Sequence, residues 1–415
     1  MTAPRPLLVL TAALALAGCD LVGSDSPPTE PAEIALSPLA ESLVGQSNAF
    51  GVGLYARVAA EDDGNLMVSP LSASVALTML LNGADGETYS QIHEVLGYGP
   101  AMDLGAVNAA YESLRDQLLA ADPAVQFTLA NAVFYDQAFG PSVKAPFAEA
   151  MRGPFDARVE GLDFDAPSAL ETINGWASEN TEGRVPKVLD RINPDAVLLL
   201  MNALYFKGEW SEQFDEGQTA PADFRLADGQ TVRVPTMQGE VEALLAHGDG
   251  YRALELPYGR RNFSMVVLLP EDPDTPLAEF AAELEGGLWD DAAGRLDEAG
   301  RWGEVDVRLP RFTFETKKVL NGPLQALGMV DAFSALTADL TRMSDDRRLQ
   351  VSSVRQDTFV GVDEEGTEAA AVTTVEVEVV SAGPQFVVDR PFVFAIRERT
   401  TGTLLFVGQV ADPSS

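Results

Sequence analysis

The chain has 415 residues, 46% of them hydrophobic, enough for a large core in one big domain or two ordinary ones. Its 63 acidic and 28 basic residues leave a formal net charge of -35, a surface that repels phosphate backbones and so excludes nucleic acid as a partner. Only Lys144, Lys187, Lys207, Lys317 and Lys318 are lysines; excess carboxylate with little lysine suits both a salt-rich habitat and ordinary solubility through self-repulsion.

Residues 1–18 read as an export signal. Arg5 supplies a thin positive start, and Leu7–Leu16 is apolar but too short to span a bilayer. The run ends in Leu16-Ala17-Gly18-Cys19, which resembles the bacterial lipobox. That resemblance implies cleavage before Cys19 and acylation of Cys19, hence an exported protein held to a bacterial membrane by lipid, facing the periplasm or the cell surface, or extracellular if released. Cys19 is the only cysteine, so no internal disulfide can form. Residues 19–38 are rich in Pro, Ser and acids and read as a flexible tether. No comparable linker follows, so residues 39–415 form one domain.

The first part of that domain is mostly helical. Asn65–Ser74 starts as a short strand and becomes a helix at Pro70, which suits a first helical turn; Asn82-Gly83 ends it. Helices are expected over Val107–Ala120 and Ala169–Thr181, and a strand over Phe127–Tyr135. Ala196–Phe206 is a continuous apolar run, expected as a central strand covered on both faces. The second half is richer in strands: a hairpin over Arg252–Leu269 turning at Tyr258–Arg261, alternating runs over Glu304–Glu315 and Val387–Arg397, and an apolar strand over Leu404–Val410. Helices and strands are segregated, which indicates an α+β fold with large mixed sheets.

Enzyme chemistry is mostly absent. His93 falls in a helical stretch and His247 in a glycine-rich turn, neither with a second histidine at metal-ligand spacing. No GxSxG, HExxH or phosphate-cradling loop occurs. Counting alone leaves a serine triad open, and both histidines read as surface or turn residues.

Val362–Pro384 (VDEEGTEAAAVTTVEVEVVSAGP) alternates from Thr367 onward. Thr367, Ala369, Ala371, Thr373, Val375, Val377 and Val379 would share one face, Glu368, Ala370, Val372, Thr374, Glu376 and Glu378 the other. With no proline before Pro384, every backbone N–H from Gly366 to Gly383 could join a ladder. On pattern alone this is an ordinary strand with one buried face.

Glu364–Thr373 resembles the hinge of inhibitory serpins. Asn65–Ser72 (NLMVSPLS), Asn202–Trp210 (NALYFKGEW) followed by Phe214-Asp215, Leu254–Pro270, Leu309–Phe314 (LPRFTF), Leu327–Phe333 (LGMVDAF) and Asp389–Phe394 (DRPFVF) resemble further serpin motifs in the family's order. The resemblance implies a serpin fold with three mixed or antiparallel β-sheets, eight or nine helices and an exposed reactive-centre loop. It implies no catalysis and no cofactor or metal. A serine protease would cut the loop, and the freed strand would enter the central sheet while the protease is still acylated; serpin loop insertion is an established case of strand addition and of strain released by cleavage. The hinge would be Glu365, Gly366, Thr367, Glu368, Ala369, Ala370, Ala371, Val372 and Thr373. Small Ala369, Ala370 and Ala371 ease entry, and the Thr367 hydroxyl can be satisfied inside a sheet where an unpaired charge would cost several kcal/mol.

Gly366 to Phe392 is 26 residues, similar to the loop of inhibitory members. In those the cleaved bond follows the fourteenth residue past the glycine, which places it at Val380–Ser381, with Val379 the nearest rival. A valine there suits the small apolar primary pocket of elastase-like or subtilisin-like proteases, and no Arg or Lys lies between Gly361 and Asp389. Ser69, Ser72 and Asn202 match the family's polar cluster where the sheet must open, with Gln356 where members often carry histidine. The stretch near Leu104–Ala121, matching the heparin-binding helix, has only Arg115 as a cation, so no heparin activation is expected. A monomer is expected. The competing reading is a non-inhibitory serpin, a surface-bound carrier or binding protein; such members commonly carry bulky, charged or proline residues in the hinge, unlike Thr367 and Ala369–Val372.

Overall fold

The long helices begin on capping signals carried by the sequence. In the computed structural model, which describes residues 31–100, 102–346, 349–367 and 383–415, Ser37 caps α1 (Pro38–Ala59) by accepting from the Ala40 amide. Ser69 caps α2 (Pro70–Gly83) through the Ser72 amide. Both place proline at the first helical position, where its missing N–H is not needed. Helices α3 (Gly86–Val95) and α4 (Leu104–Ala120) follow, the latter capped by Asp103, then α5 (Ala145–Arg152) and α6 (Pro167–Asn180). Short α7 (Leu277–Glu283), α8 (Trp289–Ala299) and α9 (Asn321–Ala326) complete the α-helices among the described residues. None of the described helices is long and apolar enough to cross a membrane.

The strands are β1 (Leu66–Val68), β2 (Val125–Asp136), β3 (Arg158–Leu162), β4 (Leu198–Glu209) and β5 (Ala220–Arg225), then β6 (Thr231–Gly248), β7 (Tyr251–Tyr258), β8 (Phe263–Pro270), β9 (Gly303–Pro310) and β10 (Phe312–Val319). They continue as β11 (Arg355–Val362), β12 (Gly366–Thr367), β13 (Gln385–Val387), β14 (Phe392–Glu398) and β15 (Leu404–Val410). One sheet runs β10-β11-β12-β4-β2-β3; the other runs β1-β15-β14-β8-β7-β6-β9-β13, with β5 added on β6. The expected three sheets thus appear as two continuous ladders, because the 18-residue β6 serves two packing units: Leu244–Gly248 pair β7, while Thr236–Ala243 pair β9.

β8, β14 and β15 are buried along their whole length, with the principal core around them. Helix α6 covers the opposite face of the six-stranded sheet, where Ile173, Trp176 and Ala177 pack on Ala132, Phe134 and Ala203. The sheet therefore has an apolar layer on both faces.

Several expectations are corrected. Glu304–Glu315 is not one strand: β9 and β10 belong to different sheets, and the break follows Pro310, which has no N–H to continue a ladder. Val387–Arg397 is likewise interrupted, and β14 is buried on both faces rather than one. His247 lies in β6, paired with Arg252, not in a turn. Strand β4 is only half-buried over Leu198–Asn202. The tether docks before residue 38: Ala32 is hydrogen-bonded to Asn262, and Ile34 and Leu36 pack against the core.

Candidate functional site

The site is a seam in the six-stranded sheet with the hinge held in its mouth. Gly366 pairs with Glu209 and Thr367 with Gly208 on one side, and Thr367 with Val362 on the other. Gly366 is there because the backbones crowd: a Cβ on it would lie 2.1 Å from the Gly208 carbonyl oxygen. Thr367 is buried, its hydroxyl 2.6 Å from that of Tyr258. The Tyr258 ring stacks on Trp210 at 4.5 Å, and burial drives its hydroxyl far above the usual phenol range, so it remains a neutral partner.

The three acids before the glycine are pinned through their carbonyls. The Trp210 indole N–H donates to Asp363 (2.9 Å), the Phe214 amide to Glu364 (2.9 Å) and the Trp210 amide to Glu365 (2.8 Å). The Glu364 carboxylate is buried and meets Arg311, whose Nε and Nη2 both approach to 2.6 Å; Thr219 donates its hydroxyl to the same group. A two-pronged guanidinium–carboxylate contact is among the stronger polar contacts in a protein, so the mouth is latched to β10's entry by charge. Burial raises the Asp363 carboxyl above its ordinary range, although the amides of Glu365 and Gly366 pull the other way.

Below the mouth, no backbone pairing among the described residues joins β4 directly to β11; each is paired to β12. A narrow cleft between them is lined by Leu204, Tyr205 and Phe206 on one side and Asp357, Thr358 and Phe359 on the other. The four residues expected at the sheet-opening point are only partly brought together. Ser69 and Gln356 lock each other: the Ser69 amide donates to Gln356 Oε1 (2.8 Å), and Gln356 Nε2 donates to the Ser69 carbonyl (3.0 Å). Ser72 joins through its amide to Ser69 Oγ (3.2 Å). Glutamine makes both bonds to Ser69 at once and carries no titrating group. Asn202 instead donates to Asn131 Oδ1 (2.7 Å), and Asn131 donates to the Phe155 carbonyl (2.8 Å). Asn202 Oδ1 and Asp357 Oδ1 are buried without a hydrogen-bond partner among the described residues.

The remaining expected positions, Cys19, Glu368, Ala369, Ala370, Ala371, Val372, Thr373, Val380 and Ser381, lie outside the described residues. Tyr258, Trp210, Arg311 and Asn131 join the site without having been singled out. The first three stand inside motifs quoted for the resemblance, but no sequence spacing says that they meet the hinge.

An α+β protein with a two-residue strand, β12, held between β4 and β11 in a six-stranded sheet defines the class by its fold. The comparisons name the class. The model of the family described as Serpin (serine protease inhibitor) matches residues 45–413. Leukocyte elastase inhibitor of Sus scrofa is 33% identical over 393 residues, covering 90% of this chain and 100% of the relative. The native-state crystal structure of the thermophilic serpin tengpin superposes with a TM-score of 0.80 at 27% identity, covering 92% of this chain and 100% of tengpin. Thyroxine-binding globulin in complex with thyroxine gives 0.78 at 26%, covering 90% and 99%. The chain belongs to the serpin family, and its relatives support a protease-inhibitor role.

Proposed function

We propose that this serpin inhibits serine proteases as a suicide substrate. The target cuts Val380–Ser381, and the strand beginning at Gly366 then runs down the seam between β4 and β11. One observation carries this reading: Gly366 and Thr367 already occupy the top of the seam in antiparallel register with both flanking strands. Continuing that register residue by residue sets Glu368 against Lys207, and Thr373 between Asn202 and Gln356. The face that holds Thr367 is the face on which Ala369, Ala371 and Thr373 would follow, toward the core. Insertion must outrun hydrolysis of the acyl-enzyme, so small residues at the leading edge favour inhibition over simple cleavage.

A valine before the cut bond suits an elastase-like or subtilisin-like target, and the porcine relative's name points the same way. The protein works outside the cytoplasm, anchored through acylated Cys19. Mixed with elastase, it should give a conjugate that survives denaturing electrophoresis, with cleavage after Val380 by mass spectrometry. Cleavage without conjugate, or none at all, would favour a carrier. Val380→Arg should transfer inhibition to trypsin; if trypsin is still ignored, the bond is misassigned.

A further inference from the structure

The turn between β7 and β8 has the hinge on one shoulder and the N-terminal segment on the other. On the hinge side, Tyr258 contacts Thr367, and the Gly259 amide donates to the Glu209 carbonyl (2.9 Å), on the residue paired with Gly366. On the other side, fully buried Asn262 grips the backbone of Ala32 twice. The Ala32 amide donates to Asn262 Oδ1 (2.7 Å), and Asn262 Nδ2 donates to the Ala32 carbonyl (2.9 Å). Asn262 is itself held, its carbonyl accepting from the Arg399 amide (2.7 Å). Its Nδ2 also faces buried Glu398, whose carboxylate takes the amides and hydroxyls of Thr400 and Thr401. Ile34 and Leu36 add apolar contact just beyond the clamp.

We propose that this turn is an anchoring point: it clamps the N-terminal segment at Ala32, so that attachment through Cys19 holds the molecule with its hinge end toward the lipid surface. The proposal rests on the reading of Cys19 as the anchor. Twelve residues lie between Cys19 and Ala32, and a flexible stretch of that length spans about 20 Å on average. Strand β4, twelve residues long, carries the far end of the sheet about 37 Å beyond the hinge. The pull is applied at one end, and a net charge of -35 resists laying the body flat on anionic lipid. The target protease is therefore met on the membrane-facing side, and strand insertion carries its acylated end away from the lipid.

The orientation can be tested without depending on cellular acylation. Protein beginning at Cys19 is coupled through that thiol to maleimide-lipid vesicles of phosphatidylcholine and phosphatidylglycerol carrying an acceptor dye. A donor dye is clicked onto an azido residue replacing exposed Gln213, at the hinge end, or exposed Asp195, before the start of β4. Energy transfer from position 213 should exceed that from 195 at least threefold; equal or reversed transfer overturns the proposal. In solution, Asn262→Ala should speed amide exchange over Glu33–Leu36 at least tenfold. Ala32→Pro, which removes the donor and leaves Asn262 in place, should do the same, and unchanged exchange in both would show that the clamp holds nothing. Intact mass of the protein from bacterial membranes reports Cys19 acylation separately: an unmodified thiol would sink the anchor reading and leave the vesicle geometry standing.

Discussion

Thr373→Val tests the inserted register most directly. Asn202 Oδ1 is a buried acceptor with no partner among the described residues, and leaving such a group unsatisfied costs roughly 1–3 kcal/mol. Continued down the seam, the strand brings the Thr373 hydroxyl beside it. Valine keeps the β-branched shape and removes the hydroxyl. The cleaved, inserted form should therefore lose roughly 1–3 kcal/mol, read as a lower denaturant midpoint. The intact form should change by less than about 0.5 kcal/mol, because the residue then belongs to the bait loop. If the bond is already made in the insertion transition state, a loss of about 1.4 kcal/mol slows insertion about tenfold, and more inhibitor is consumed as substrate per protease trapped. A double-mutant cycle with Asn202→Ala isolates the pair, with an expected coupling near 1 kcal/mol in the cleaved form and about zero in the intact form. Zero coupling in the cleaved form, or an equal effect in both forms, would refute the register.

Three further outcomes follow from the seam. Thr367→Arg places a charge where the native side chain is 2% exposed and bonded to Tyr258; gel stoichiometry should show inhibitor turned into substrate, and unchanged conjugate yield would count against insertion. Glu364→Gln removes the carboxylate facing Arg311; intact protein should lose about 2 kcal/mol in chemical denaturation, with the cleaved form less affected if the latch acts only on the closed mouth. Burial raises the carboxyl of Asp357 despite Arg355 nearby, so its contribution to stability is greatest below the ordinary aspartate range and is lost as pH rises through the elevated folded value. Asp357→Asn should therefore match wild-type thermal stability near pH 3 and exceed it at pH 7; equal melting temperatures at both would refute the assignment.

Much of the mouth was legible in one dimension. The glycine before an alternating run marks a strand entry, and Gly366 is glycine because the Gly208 carbonyl leaves no room for a Cβ. The Pro70 helix start and the Tyr258–Arg261 turn were readable for similar local reasons. The polar cluster was less so: Ser69 and Gln356 meet, whereas the amide of Asn202 bonds to Asn131. Neither its residue type nor its spacing distinguishes those two partners.

Local chemistry was enough for the sequence by itself to determine the α+β class, the helix start at Pro70, and the period-two pattern of a strand with one face for burial. What only the tertiary structure decided was which distant elements meet. It split Glu304–Glu315 between two sheets, set Arg311 against Glu364 and Tyr258 against Thr367, and closed Asn262 on Ala32. Such pairings join residues 53, 109 and 230 positions apart. They depend on how whole strands stack and cross, and no periodicity along the chain encodes that.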